Sequence, residues 1–222
     1  MQECLFMKLL IVGNSGVGKT SLLNRYYSGF FEPATIPTIG YDFTTKLYSK
    51  PNKQLCKLQI WDIAGQDRYQ AVSKLYARNA DGCLVVCDIT NRDSLFHTLK
   101  WKKIVQEQCS YTHEIPFVLV QNKNDLMIDD LEEHMTEEFL KNFAEKNGFC
   151  DVFQVSAKEN INVENCFDAL VDRATIVAFK NQEFVLEEGK NKETLQRISS
   201  KYKKDVDEKN GNLKKNKRMC CF

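Results

Sequence analysis

The segment Gly13 to Thr20 constrains this chain more than any bulk property. GNSGVGKT matches G-x4-G-K-[ST] in full. It follows a near-continuous apolar run, Leu9 to Val12, and precedes KTSLLNRYYSGF, which has helical spacing. Strand, glycine loop and helix in that order make a phosphate cradle. Glycines let the backbone wrap until several N–H groups point inward, and the helix N-terminus adds its positive dipole end. The N–H groups and side chains of Ser15, Gly16, Val17, Gly18, Lys19, Thr20 and Ser21 are therefore candidate phosphate ligands. Lys19 would reach the β- and γ-phosphates, and the Thr20 hydroxyl would ligate Mg2+. The bland alternative is a glycine-rich turn that matches by chance, and the flanking strand and helix weigh against it. The loop specifies a nucleoside triphosphate and leaves the base open.

Around that loop the apolar periodicity alternates. YDFTTKLYS and KQLCKLQIWDI read as strands joined by a turn at Lys50-Pro51-Asn52-Lys53. DGCLVVCDI, IPFVLVQNK and DVFQVSA read as further strands. Helical spacing covers Lys19 onward, about 93–108, about 136–147 and about 163–179. Six strands with helices between most of them predict an α/β fold. Its sheet is mainly parallel and covered on both faces, with one antiparallel edge strand where the connection is only a turn. One nucleotide-binding domain is expected over 1–182 and a flexible tail over 183–222, where the apolar pattern fades and Lys, Asn and Glu dominate.

Three further segments end strands, where ligands of open α/β sheets bind. Asn122-Lys123-Asn124-Asp125 follows IPFVLVQ. Guanine presents N1–H and its 2-amino group side by side, and the Asp125 carboxylate can accept both, whereas adenine offers no such pair. Asn122 and the Lys123 stem would buttress the loop and the ring. NKND alone could equally be a solvated polar turn. Ser156-Ala157-Lys158, after the last strand, adds a backbone N–H at Ala157 for the guanine oxygen. WDIAGQD closes another strand. There Asp62 is placed to hold Mg2+, Gly65 to offer an N–H to the γ-phosphate, and Gln66 to orient the attacking water.

The order GNSGVGKT, TIGYDF, WDIAGQDRY, NKND, SAK resembles that of Ras-superfamily small GTPases over roughly residues 5–180. IGYDF, KLQIWDIAGQDRY and LVVCDIT are similar to motifs of the Rab family. WDIAGQ with the Lys100-Trp101-Lys102 run leans towards the Rab subgroup of lysosome-related organelles and phagosomes. The resemblance implies a P-loop GTPase fold and a GTP/GDP switch that hydrolyses GTP slowly with Mg2+ and serves vesicle trafficking. It implies that Thr38 completes the Mg2+ shell when GTP is bound and that Phe31 packs on guanine. Exchange factor, activating protein, GDP-dissociation inhibitor and effectors would read Ile36–Phe43 and Gly65–Tyr76. Asp67 and Tyr69 depart from the usual Glu and Phe in the second of these segments. Two rivals remain on the residues alone: another P-loop enzyme acting on ATP, and a module that holds nucleotide without switching.

Charge separates the tail from the body. The net charge of +1 is the sum of 11 basic and 6 acidic residues over 187–222 and 20 basic and 24 acidic residues over 1–186. A basic tail on an acidic body suggests an anionic surface as partner. Nucleic acid is disfavoured, because the tail lacks interleaved aromatics. Of nine cysteines, Cys4, Cys56, Cys83, Cys87, Cys109, Cys150 and Cys166 lie mostly in apolar runs without metal-ligand spacing and read as reduced core thiols. The adjacent Cys220 and Cys221 resemble the Rab double-prenylation signal, which implies a membrane anchor on the cytosolic face of an endosomal or vesicular membrane. No window approaches 18 uninterrupted apolar residues, so no spanning helix is expected, and the N-terminal apolar run reads as a strand rather than a secretory signal. His97, His113 and His134 show no ligand spacing and read as surface residues. Trp61 reads as a strand cap, and Trp101 as packing or a partner contact.

Overall fold

In the computed structural model the described residues are 5–33, 36–49, 55–66, 75–109, 115–127 and 136–178. Six strands and three α-helices follow one another among the described residues as β1 Leu5–Val12, α1 Lys19–Ser28, β2 Tyr41–Ser49, β3 Leu55–Ile63, β4 Gly82–Asp88, α2 Arg92–Gln106, β5 Phe117–Asn122, α3 Glu137–Lys146 and β6 Asp151–Gln154. A further helix, α4, covers residues 163–178. They form one sheet in the order β2-β3-β1-β4-β5-β6. β1 pairs in parallel with both β3 and β4, and β4–β5 and β5–β6 are parallel as well. Only β2 runs antiparallel, from Tyr41 opposite Ile63 to Ser49 opposite Leu55. The compact unit ends at Ala178.

The sheet separates two cores, and β1 contributes to both by strand parity. Met7, Leu9 and Ile11 join Leu22, Leu23 and Tyr26 of α1 and Phe167 and Leu170 of α4. Leu10 and Val12 point the other way, to Trp101 and Val105 of α2 and Leu140 and Phe143 of α3. A strand buried on both faces has to be apolar at every position, which is why LLIV is unbroken. Local signals set the helix ends. The Asn91 side chain caps α2 by accepting from the Ser94 N–H at 3.1 Å, and Thr136 caps α3 by accepting from the Phe139 N–H at 3.2 Å.

This topology fixes where a ligand can bind. The chain leaves β1 for one side of the sheet, returns, and continues to the other side at β4. β1 is thus the switch point of the sheet, and the glycine loop follows its carboxyl end. The cysteines are not uniformly core thiols. Cys56, Cys83, Cys87 and Cys166 are buried, but Cys109 and Cys150 are only half-buried at the ends of elements. Trp61 is not a strand cap. It sits inside β3, stacked between aromatic rings that its cross-strand neighbours supply. The expected turn at 50–53, together with Cys4, His113, His134 and the whole tail with Cys220 and Cys221, lies outside the described residues. Among the described residues no helix is long and apolar enough to cross a membrane.

Candidate nucleotide-binding site

A cleft of about 540 Å³ opens at the carboxyl ends of β1, β3 and β5. Its lining brings together most of the residues singled out by sequence. Ser15, Gly16, Gly18, Lys19, Thr20 and Ser21 line one end, with Thr38 and Gly65 beside them. Phe31, Asn122, Lys123, Asp125, Ala157 and Lys158 line the rest. Gly18, immediately before α1, takes φ 89°, and a Cβ there would stand 2.3 Å from Asn122 Nδ2. Both conformation and space therefore demand glycine.

At the phosphate end an ammonium and three oxygen-bearing side chains converge. Lys19 is 6% exposed, and its Nζ donates to the carbonyls of Gly13 at 3.0 Å and Asn14 at 2.9 Å. Burial pushes it down to about 8, against the nearby Asp62 charge that works to raise it. Asp62 is 1% exposed and is pushed up by burial, against a hydrogen bond from Thr20, the charge of Lys19 and a hydrogen bond from Thr38. Two opposite charges that both move towards neutrality are not a satisfied ion pair. Thr20 Oγ1 donates to Asp62 Oδ2, Thr38 Oγ1 donates to the same oxygen at 3.2 Å, and the two hydroxyls lie 2.8 Å apart. Asp62 Oδ1 is buried without a hydrogen-bond partner among the described residues. Hard oxygen donors around an orphaned carboxylate oxygen are a donor set that suits Mg2+. Lys19 suits the phosphates that such an ion accompanies.

The far end is built as a fixed polar wall. Asp125 Oδ1 accepts from Ser156 Oγ at 2.6 Å, and Lys158 Nζ lies 3.8 Å from Oδ2. Asn122 Nδ2 donates to the Val17 carbonyl at 2.9 Å, and Asn122 Oδ1 accepts from the Ala157 N–H at 3.2 Å. One side chain thus ties three loops together. Lys123 adopts φ 68° and lines the cleft, and its Nζ is held at 2.6 Å by Asp88. Val17, Asp62 and Ser156 do not line the cleft, Asp62 lying behind the Thr20 and Thr38 hydroxyls. Val17 buries its side chain in the core, and Ser156 braces Asp125 from behind.

Gln66 stands apart from the cleft just described. It lines a neighbouring one of about 380 Å³ with Asn14, Gly65, His97 and Trp101. Gly65 is pressed so close to the phosphate loop that a Cβ would meet Asn14 C and Ser15 N at 2.4 Å. Sequence reasoning missed Pro33, Ile36, Pro37 and Leu126 in the lining. It also missed Arg25, whose guanidinium donates to the carbonyls of Ala157 and Lys158, each at 2.7 Å. Nothing in the sequence marks an α1 arginine as the anchor of a loop more than 130 residues away.

A glycine loop with a buried lysine and a braced carboxylate stand at opposite ends of one cleft, and a known family matches this chain. The Ras family matches residues 8–176. The chain belongs to the Ras family and is a Rab GTPase. It is similar to Ras-related protein Rab-3B of Bos taurus, 42% identical over 165 residues that make up 74% of this chain and 72% of that protein. Ras-related proteins Rab-3D and Rab-3A of Homo sapiens are 41% and 40% identical over the same shares of both chains. The Rab GTPase binds GTP and GDP, hydrolyses GTP to GDP and regulates vesicle trafficking. This sets aside the two rival readings of the residues, an ATP-directed enzyme and a module that never turns over.

Proposed function

We propose that this Rab GTPase reads its nucleotide with the residues gathered in the large cleft. The observation that carries this is the pairing of Lys19, Thr20 and Thr38 at one end, where Asp62 is hydrogen-bonded behind both hydroxyls, with Asp125 at the other. Lys19 and the N–H groups of Ser15 to Ser21 hold the phosphates. Thr20, Thr38 and Asp62 hold Mg2+, which when bound neutralises charge on the phosphate oxygens. Asp125 accepts from guanine, Asn122, Lys123, Ser156, Ala157 and Lys158 keep its wall in place, and Phe31 covers the ring. Gly65 offers its N–H to the γ-phosphate. Gln66 orients the attacking water once it swings from its own cleft. An amide is too weak a base to take the proton, so positioning is its contribution.

Thr38 and Gly65 each belong to a segment that partners can read. Ile36 and Ile39 are 86% and 76% exposed, and Tyr41, Phe43, Trp61 and Tyr76 stack across β2, β3 and the segment that follows. That exposed apolar surface supports Ile36–Phe43 and Gly65–Tyr76 as the surfaces for exchange factor, activating protein, GDP-dissociation inhibitor and effectors, and loss of the γ-phosphate would release both segments. The activating protein is expected to supply an arginine, worth about 10³–10⁵ in rate.

Single-turnover hydrolysis tests the catalytic assignment. Gln66→Leu should slow GTP cleavage by about 10²-fold or more, the penalty for losing a positioned reactant, with GTP affinity unchanged. Unchanged cleavage would remove Gln66 from the site. The domain 1–182 and the tail 183–222 divide the work: the tail reaches the cytosolic face of an endosomal or vesicular membrane through prenyl groups on Cys220 and Cys221. One lipid chain binds marginally and two bind stably. Cys220→Ser/Cys221→Ser should therefore move the protein from the membrane pellet to the cytosol on fractionation, with nucleotide binding intact. Retention in the pellet would refute the anchor.

A further inference from the structure

We propose that Asn14 is a positioning residue for Lys19 and that a neutral His97 holds it there. The inference rests on the reading that phosphates occupy the cleft beside Lys19. The Asn14 carbonyl accepts from Lys19 Nζ at 2.9 Å, so the placement of this residue sets one of the two seats of the ammonium. Its side chain is clamped from α2. Trp101 Nε1 donates to Asn14 Oδ1 at 2.9 Å, and Asn14 Nδ2 lies 2.7 Å from His97 Nδ1. On the other side Gly65 leaves no slack, since even a Cβ there would stand 2.4 Å from Asn14 C.

The chemistry of the clamp fixes its protons. An indole N–H can only donate, so the oxygen of the Asn14 amide must face Trp101. The amide N–H then faces His97, whose Nδ1 has to present a lone pair. His97 is therefore a neutral imidazole with its proton on Nε2. Trp101 is 3% exposed and anchored in the α2–α3 core, so its end of the clamp cannot yield, whereas His97 is open to solvent.

A second proton on His97 would break the clamp in either amide orientation. With Asn14 as it stands, two N–H donors face each other at Nδ1. With the amide flipped, its N–H₂ faces the indole N–H instead. Among the described residues that line this cleft, no carboxylate stands by to take up the added charge. Of the described residues lining the cleft that His97 faces, Lys100 alone is charged, and Asn14, Ser15, Gly65 and Gln66 are not. Asp93 lies one helical turn earlier on α2 itself. Acidification should thus release Asn14, loosen the seat of Lys19 and speed nucleotide release by about tenfold, the factor one net hydrogen bond carries.

The test uses the full 222-residue chain loaded with methylanthraniloyl-GDP and Mg2+, then chased with excess GDP from pH 7.5 to 5.5. Wild type should release about tenfold faster at the acid end. His97→Asn places a side-chain carbonyl near the position of Nδ1 and does not titrate, so it should stay slow and flat. His97→Phe should be fast and flat. The same acid acceleration in wild type and His97→Phe would overturn the clamp. A wild-type protein that retains no labelled GDP at pH 7.5 would overturn the nucleotide reading itself, and the inference with it. A ¹⁵N–¹H correlation spectrum reads the tautomer independently of nucleotide: a proton on Nε2 is expected at pH 7.5, and one on Nδ1 would refute the assignment.

Discussion

Replacing Lys19 with methionine should cost about 10³-fold in GTP affinity, because charge-assisted hydrogen bonds from one ammonium to two phosphates contribute about 1.5–3 kcal/mol each. The same substitution should stabilise the nucleotide-free protein at pH 7. Burial takes Lys19 from its ordinary range down to about 8, so holding the charged form in the fold is costly. The unfolded chain keeps that proton up to about 10.5, and between the two values it binds more protons than the native state. The Lys19 contribution to stability therefore rises as pH climbs from about 8 to 10.5, and it is unfavourable below that window. Removing the ammonium should return about 1–3 kcal/mol at neutral pH, reduced because Asp62 loses the charge that opposes its own desolvation. Bound phosphate reverses the balance by favouring the ammonium. Calorimetry in buffers of different ionisation enthalpy should accordingly show proton uptake on GDP binding at pH 8.5 in wild type and none in Lys19→Met. A variant that loses neither affinity nor proton uptake would mean that Lys19 does not face phosphate.

The parts of this site that could be read from sequence are those whose geometry is local. A glycine loop between strand and helix, a carboxylate three residues past a strand, and a short polar turn after the last strand each carry their placement with them. What could not be read is what holds those loops against one another. Arg25 reaches Ala157, Asp88 holds Lys123, and His97 meets Asn14 across separations of 132, 35 and 83 residues, with no periodicity or spacing to announce them. The run Lys100-Trp101-Lys102 shows the limit most clearly. Along a helix the three side chains diverge by about 100° each. Lys100 is exposed, Trp101 is in the core, and Lys102 is buried with its Nζ donating to the carbonyls of Asn147 and Gly148. Read as a motif they form one unit; in the fold they do three different jobs. Trp61 is a similar case. Its partners Tyr41 and Phe43 lie across the β2–β3 ladder, so its aromatic setting depends on pairing rather than on its place at a strand end.

Asp125→Asn should change which base the cleft accepts rather than simply weaken binding. The carboxylate is nearly buried, with Oδ1 held by Ser156 Oγ at 2.6 Å and Oδ2 facing Lys158 Nζ at 3.8 Å, so its position is fixed before any ligand arrives. Guanine offers two donors to it. An amide at the same place presents one acceptor and one donor, and that donor opposes one of the N–H groups of guanine. Sites built to pair with a hydrogen-bonding group discriminate by about 10⁴–10⁵ against a ligand that lacks it, because buried polar groups are left unpaired. GTP affinity should fall by about 10³-fold, a little less than that limit since one of the two bonds survives. Xanthine carries a carbonyl where guanine carries the 2-amino group, so it restores complementarity to the amide. XTP should then displace labelled GDP more strongly than GTP does, the reverse of wild type, and ATP should remain excluded from both proteins. The substitution leaves Lys19, Thr20 and Asp62 untouched, so hydrolysis of bound XTP should run close to the wild-type rate on GTP. That second readout separates a change in base recognition from a collapsed wall. If Asp125→Asn kept its preference for GTP over XTP, the base would have to be read by the backbone of Ala157 and its neighbours instead.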